Sequence, residues 1–158
     1  GSGMLFVLCV SVWGREWLCY LKMQIIRADI MSDTDFVWTE QANAPKSGSV
    51  VCAWTELPDR TLHEVHFGGS EEAFKLLLFR DRDALHGYVN KCPHHWLTMN
   101  RRSDGEFMMW AEDELMCVHH CAVFKLTDAG RCIDGPCLGT NLVNVPVVVL
   151  DGQVLIGE

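Results

Sequence analysis

Two short stretches near the middle of the chain carry the residues best suited to chemistry: Cys92-Pro93-His94-His95 and Cys117-Val118-His119-His120-Cys121. Read as C-x-H and C-x-x-H, they lie twenty-two residues apart and offer two thiolates and two imidazoles from two matched loops. A lone Cys or His beside an apolar segment is ordinarily core. Two Cys/His pairs at chelating spacing, each with a second His beside it, are hard to explain by packing. Such a set suits zinc, which takes thiolate and imidazole in a tetrahedron. It also suits a two-iron, two-sulfide cluster in which two His replace two Cys on one iron. Zinc sites typically read C-x2–4-C followed by H-x3–5-H, so that each short loop supplies like ligands. Here each loop supplies one of each kind, which is what two irons require, because each loop must reach both. The pattern favours iron–sulfur, with a zinc-stabilised Cys2His2 binding module as the alternative.

The segments that must position these loops read as short strands with turns. Val50 to Trp54 is the first, and Thr61 to Phe67 carries Leu62, Val65 and Phe67 ahead of Gly68-Gly69. Phe74 to Phe79 and Leu85 to Val89 flank Arg80-Asp81-Arg82-Asp83 in a hairpin pattern, and the second strand feeds the first loop. Phe107 to Trp110 reads as a strand, and Glu112-Asp113-Glu114 as an acidic turn leading into Leu115-Met116-Cys117. After the second loop come a strand at Val123-Phe124-Lys125-Leu126, a turn at Thr127 to Gly130, and Arg131 to Gly135 running into Pro136. Val145 to Leu150, Asp151-Gly152 and Gln153 to Ile156 form a hairpin with an Asp-Gly turn.

Several of these stretches together resemble the soluble Rieske-type ferredoxins and related single-domain Rieske proteins. The matching text is Trp54-Thr55-Glu56-Leu57-Pro58, Asn90-Lys91-Cys92-Pro93-His94 and Cys117-Val118-His119-His120 with Phe124 after it. It continues in Gly130-Arg131-Cys132-Ile133-Asp134-Gly135-Pro136 and in Val145 to Val154. The resemblance covers residues 50–158. It implies an all-β Rieske (ISP-like) fold, an antiparallel β-sandwich base with a smaller cluster-binding subdomain built from residues near 90–125. It also implies a [2Fe-2S] cluster held by Cys92, His94, Cys117 and His120, the two Cys on the inner iron and the two His on the outer one. His95 and His119 are then non-ligands, because adjacent side chains on one loop seldom both reach one iron. The competing assignment takes His95 and His119 as the ligands. The implied function is one-electron transfer, as a ferredoxin component between a reductase and a terminal oxygenase. The small Rieske-like subunit of a nitrite-type reductase is the alternative.

The departures from the family pattern matter too. Cys121 stands where the family usually has Gly after the second ligand His, and Trp96 where Gly is common two residues after the first. Glycine at such places lets the backbone approach closely or take φ > 0, so the loop conformation is at issue there, though the ligand set is not. Cys121 reads as a small apolar filler, with a fifth thiol near the cluster as the alternative. High-potential Rieske proteins carry a disulfide between the loops and hydroxyls bonded to sulfur. By spacing, those positions fall on Leu97 and His119, and on Ala122 and Phe124. None of these side chains does that work, so the resemblance implies a potential in the lower half of the range of about −150 to +300 mV.

Composition bounds the rest. The 158 residues suit one domain with a real core, and 49% hydrophobic with 22% charged residues is ordinary globular usage. A formal charge of −8 argues against a nucleic-acid partner, which demands a basic face. Gly1-Ser2-Gly3 reads as a tag scar, and residues 4–30 as an apolar extension whose halves are each too short to span a bilayer. Met31 reads as the more natural start, and any ordered form of residues 4–30 is expected to self-associate. Residues 31–49 read as a polar arm or linker. The eight cysteines show no framework of paired spacing, so free thiols in a cytoplasmic protein are expected. His63 and His66 with Asp59 could suggest a mononuclear metal site. Residues three apart on a strand point to opposite faces, so solvent or edge histidines are expected there. No general base, nucleophile or phosphate loop stands out, and an electron carrier with redox protein partners, rather than an enzyme, is expected.

Overall fold

The computed structural model describes residues 36–69, 72–101 and 104–158. Ten antiparallel strands and two 3-10 turns make up the regular structure, and the described residues include no α-helix. The expected all-β architecture is the one found. The strands are β1 (Val50–Ala53), β2 (Leu62–Phe67), β3 (Phe74–Asp81), β4 (Ala84–Val89) and β5 (Met108–Ala111), followed by β6 (Glu114–Met116), β7 (Val123–Lys125), β8 (Arg131–Asp134), β9 (Val147–Leu150) and β10 (Gln153–Ile156). They form three sheets, ordered β1-β10-β9, β2-β3-β4 and β5-β6-β7-β8.

Strand β3 explains how the sheets stack. Its Leu76-Leu77-Leu78-Phe79 run is wholly buried, the pattern of a strand covered on both faces. Successive side chains alternate across the sheet. Leu76 and Leu78 join Val154 and Ile156 of β10 in one core. Leu77 and Phe79 join Leu115, Phe124, Leu126 and the site cysteines Cys92 and Cys117 in the other. The middle sheet thus holds the base on one side and the loop-bearing sheet on the other. Burying a Leu or Phe side chain contributes about 1.5–3 kcal/mol, so both attachments are firm.

Two turns differ from the sequence reading. The β3–β4 turn uses only Arg82 and Asp83, and Arg82 takes φ 56°. Arg80 stays in the strand because its guanidinium lies 4.1 Å over the Trp54 ring and donates to Leu57 O at 2.8 Å. The last hairpin begins at Val147, since the Val145 N–H is taken by Gly87 O at 2.9 Å. With Val89 N–H donating to Val143 O at 2.9 Å, this segment runs alongside β4 before entering β9. The described part of the polar arm packs on the base, with Phe36, Trp38 and Ala44 against the second core. The apolar stretch 4–30, and the self-association expected of it, lie outside the described residues.

Candidate metal centre

Loop 1 follows β4 and loop 2 joins β6 to β7. Each is closed by the same two backbone bonds. The Cys92 N–H donates to Leu97 O at 2.7 Å and the Trp96 N–H to Cys92 O at 2.7 Å. The Cys117 N–H donates to Ala122 O and the Cys121 N–H to Cys117 O, both at 2.8 Å. Closing a loop this tightly requires a left-handed residue near its end. Trp96 and Cys121 supply it, each at φ 56°. The glycine conformation is therefore kept where the glycine itself is replaced, although a bulky residue at positive φ is uncommon and strained.

The mouth of loop 1 is shut by one buried amide. Asn90 accepts the Met99 N–H at 2.8 Å through Oδ1, and its Nδ2 donates to Glu64 Oε2 and, at 3.2 Å, to Asn100 Oδ1. Loop 2 is pressed instead by the turn after β8. A Cβ placed on Gly135, at φ 91°, would lie 2.8 Å from Ala122 Cα and 2.9 Å from Cys121 O. Only glycine lets the third loop lie that close.

The two loops bring the sequence-predicted donors together. Ligand atoms of Cys92, Cys117 and His120 lie within 4.8 Å of one another, as do those of His94, His95 and His120. Cys117 Sγ is 3.4 Å from His120 Nδ1, and the His94 and His120 rings meet edge to face at 4.5 Å. His94 and His120 are buried, at 2% and 7% exposure, whereas His95 is exposed and His119 half-buried. His119 Nε2 is buried without a hydrogen-bond partner among the described residues. His63 and His66 belong to neither donor group, and His66 Nε2 pairs with Glu64 Oε1 at 2.5 Å.

Electrostatics shows what the pair of sulfurs requires. The neighbouring Cys117 sulfur pulls the Cys92 thiol down, but the Cys137 thiol and burial outweigh it and leave Cys92 pushed up to about 12. The Cys92 sulfur and burial likewise push the Cys117 thiol well up. Two buried thiolates side by side are costly unless cations pair with them, and metal binding is what releases such protons. The donor set of two sulfurs and two imidazoles fits a mixed-ligand two-iron cluster.

Around the donors the described chain is apolar: Ala122 and Phe124 are fully buried and carry no hydroxyl. One residue near the site has no role in the sequence reading. Cys137, in the third loop, sits with its Sγ 3.8 Å from Cys92 Sγ. Its place directly after Gly135-Pro136, at the end of the matching Gly130 to Pro136 stretch, was the available signal. Cys52, Cys92, Cys117, Cys132 and Cys137 are free thiols. Cys121 corrects the expectation of free thiols throughout, because its sulfur is in a disulfide. A disulfide depends on where two cysteines meet in space, which local spacing does not show.

Comparison with known proteins follows from this geometry. The family described as the Rieske [2Fe-2S] domain matches residues 47–149. A search of curated proteins finds no match. Among solved structures, the ferredoxin of carbazole 1,9a-dioxygenase from Nocardioides aromaticivorans IC177 is similar at 18% identity and TM-score 0.53, over 72% of this chain and 99% of that one. The Sphingomonas yanoikuyae B1 ferredoxin is similar at 20% identity and TM-score 0.52, over 70% of this chain and 98% of that one. The terminal oxygenase of carbazole 1,9a-dioxygenase from Novosphingobium sp. KA1 is similar at 21% identity and TM-score 0.56, over 71% of this chain but only 30% of its own length.

Proposed function

This chain belongs to the family of Rieske [2Fe-2S] domains, and from that membership we propose that it is a one-electron carrier, a ferredoxin component passing electrons from a reductase to a terminal oxygenase. A [2Fe-2S] cluster supplies the chemistry, taking up and giving back one electron. Cys92, His94, Cys117 and His120 would hold it, the sulfurs on one iron and the imidazoles on the other. The proteins named ferredoxins are matched along 99% and 98% of their length, whereas the oxygenase extends far beyond the shared part. That likeness to whole ferredoxins, with two Cys and two His donors gathered in one place, supports the reading.

The chain's own residues do three things for such a task. The bonds closing each loop fix the Cys and His donors before any electron arrives. The apolar cores behind Cys92 and Cys117 keep water from the sulfurs. Exposed His95 marks the side where the imidazoles come nearest solvent and where a partner protein would dock. Five free thiols among the described cysteines fit a reducing setting such as the cytoplasm, and the disulfide at Cys121 weighs against it. No helix of the described residues is long and apolar enough to cross a membrane.

The test is a visible and EPR spectrum of anaerobically purified protein, with iron, sulfide and zinc assayed on the same sample. Two irons and two sulfides per chain, with the low average g value of His-ligated clusters on reduction, are expected. A colourless protein with one zinc and no sulfide would sink the electron-carrier reading. Stable capture in a larger reductase would replace the ferredoxin role with that of a subunit.

A further inference from the structure

We infer that Cys137 is a positioning residue for this centre: its thiol donates a hydrogen bond to the Cys92 sulfur and raises the potential above what the apolar surroundings alone would give. The inference rests on the electron-carrier reading above. The Sγ–Sγ distance of 3.8 Å is within hydrogen-bond reach for sulfur, and the two residues are 2% and 0% exposed. Either thiol could donate in the proton-bearing pair. A Cys92 thiolate bound to iron has no proton to give, so Cys137 is then the donor.

Cys132, the third cysteine of the group, can also accept from Cys137, but an iron-bound Cys92 thiolate is the charged and therefore stronger acceptor for the same proton. Cys132 directs its own S–H to Asp134 O at 3.1 Å. Cys137 is also held in place. Its carbonyl accepts from Thr140 N at 3.0 Å and from Thr140 Oγ1 at 2.7 Å, and Pro136 before it has a fixed φ. Burial excludes water as a rival donor to the Cys92 sulfur.

The consequence follows from charge. A hydrogen bond to a ligand sulfur stabilises the reduced, more negative state more than the oxidised one, so it raises the potential. Ala122 and Phe124, fully buried, offer no hydroxyl for this purpose. The third loop therefore supplies from another direction part of what those positions lack.

The experiment is a spectroelectrochemical titration of the loaded protein and three variants. Cys137→Ala removes the donor and adds no atoms. Cys137→Val removes it while filling the space, and Cys137→Ser keeps a donor. The Ala and Val variants should shift the reduction equilibrium about threefold toward the oxidised form, roughly half of the 59 mV that a tenfold change represents for one electron. The Ser variant should stay at or above the parent. Resonance Raman bands of the iron–cysteine bonds should move in D2O for the parent and Ser proteins and stay fixed for Ala and Val. Equal potentials in the parent, Ala and Val proteins would overturn the inference, as would an equal fall in all three variants, which would mark a packing effect. A parent protein lacking two irons and two sulfides would defeat the electron-carrier reading and the hydrogen bond together. A loaded parent indifferent to Cys137→Val would defeat the hydrogen bond alone.

Discussion

In loop 1 the cysteine N–H reaches the residue five ahead and the residue four ahead returns a bond to the cysteine carbonyl. Loop 2 repeats both bonds to within 0.1 Å, as 2.7 Å in the first loop and 2.8 Å in the second. The left-handed turn residue is at φ 56° in each. The loops part company in what surrounds that shared backbone. Loop 1 is steadied by side chains: Phe36 stacks on Trp96 with ring centroids 4.5 Å apart, and Asn90 closes the mouth. Loop 2 is steadied by main chain, with the third loop laid against Ala122 and Cys121 at Gly135, and by the disulfide at Cys121. One backbone shape is thus held by two different means, and the means decide which substitutions each loop tolerates.

The largest effect should come from the donors themselves. Cys92→Ser, Cys117→Ser, His94→Ala and His120→Ala should each abolish the visible spectrum of the purified protein, while His95→Ala and His119→Ala should retain it. Loss of colour in the His95 or His119 variant, with retention in His94 or His120, would reverse the assignment in that loop. Gly135→Ala comes next. It sets a methyl group against loop 2 backbone at a φ of 91°, and should cost about 2–4 kcal/mol in denaturant unfolding. A cost below about 1 kcal/mol would mean that the third loop yields easily and that loop 2 is not braced by it.

Tyr88 tests what the loops share. It lies one residue before the end of β4, ahead of loop 1, and its buried hydroxyl donates to Leu126 O at 2.6 Å, after loop 2. Burial, against a weaker opposing effect of Gly130, pushes the phenol up to about 12 from 10. A folded-state value above the unfolded one gives stability that is complete below pH 10 and lost as pH rises toward 12. At about 1.4 kcal/mol per pH unit, about 3 kcal/mol is at stake. Unfolding curves of Tyr88→Phe should start about 1–3 kcal/mol lower and lack that part of the alkaline decline. An unchanged alkaline slope would remove Tyr88 from the account. The smallest effect belongs to Trp96. Trp96→Ala should be less stable than Trp96→Gly by about 1 kcal/mol, since only glycine takes positive φ without penalty. Equal stabilities would mean that the loop relaxes once the Phe36 stack is gone.

The same contrast explains what could be read from the residues alone. The donor types, the Asp-Gly turn and the strand at Phe74–Phe79 are local signals, and the strands lie close to where the sequence places them. Departures at Trp96 and Cys121 raised doubt about loop shape, yet both adopt the glycine conformation. Intrinsic preference opposes this, and tertiary contacts such as the Phe36 stack override it. Cys137 was legible as a residue and not as a neighbour of Cys92, because forty-five positions separate them. The extent of β3 through Asp81 was likewise hidden, since Arg80 is held by Trp54 and Leu57 from outside its own hairpin.

The Asn90 amide has a consequence for assembly. It joins the start of loop 1 to Met99 and Asn100 and reaches across to Glu64 of β2, all through protein atoms. That side of the centre is a socket held by side chains as well as by its closing backbone bonds, so it should resist opening more than loop 2 does before a cluster enters. Loading should therefore be sequential, with loop 1 fixed in circular dichroism of chelator-treated protein and loop 2 taking its final protection from hydrogen exchange only after iron and sulfide enter. Uniform protection of both loops before loading would mean that the socket is complete from the outset.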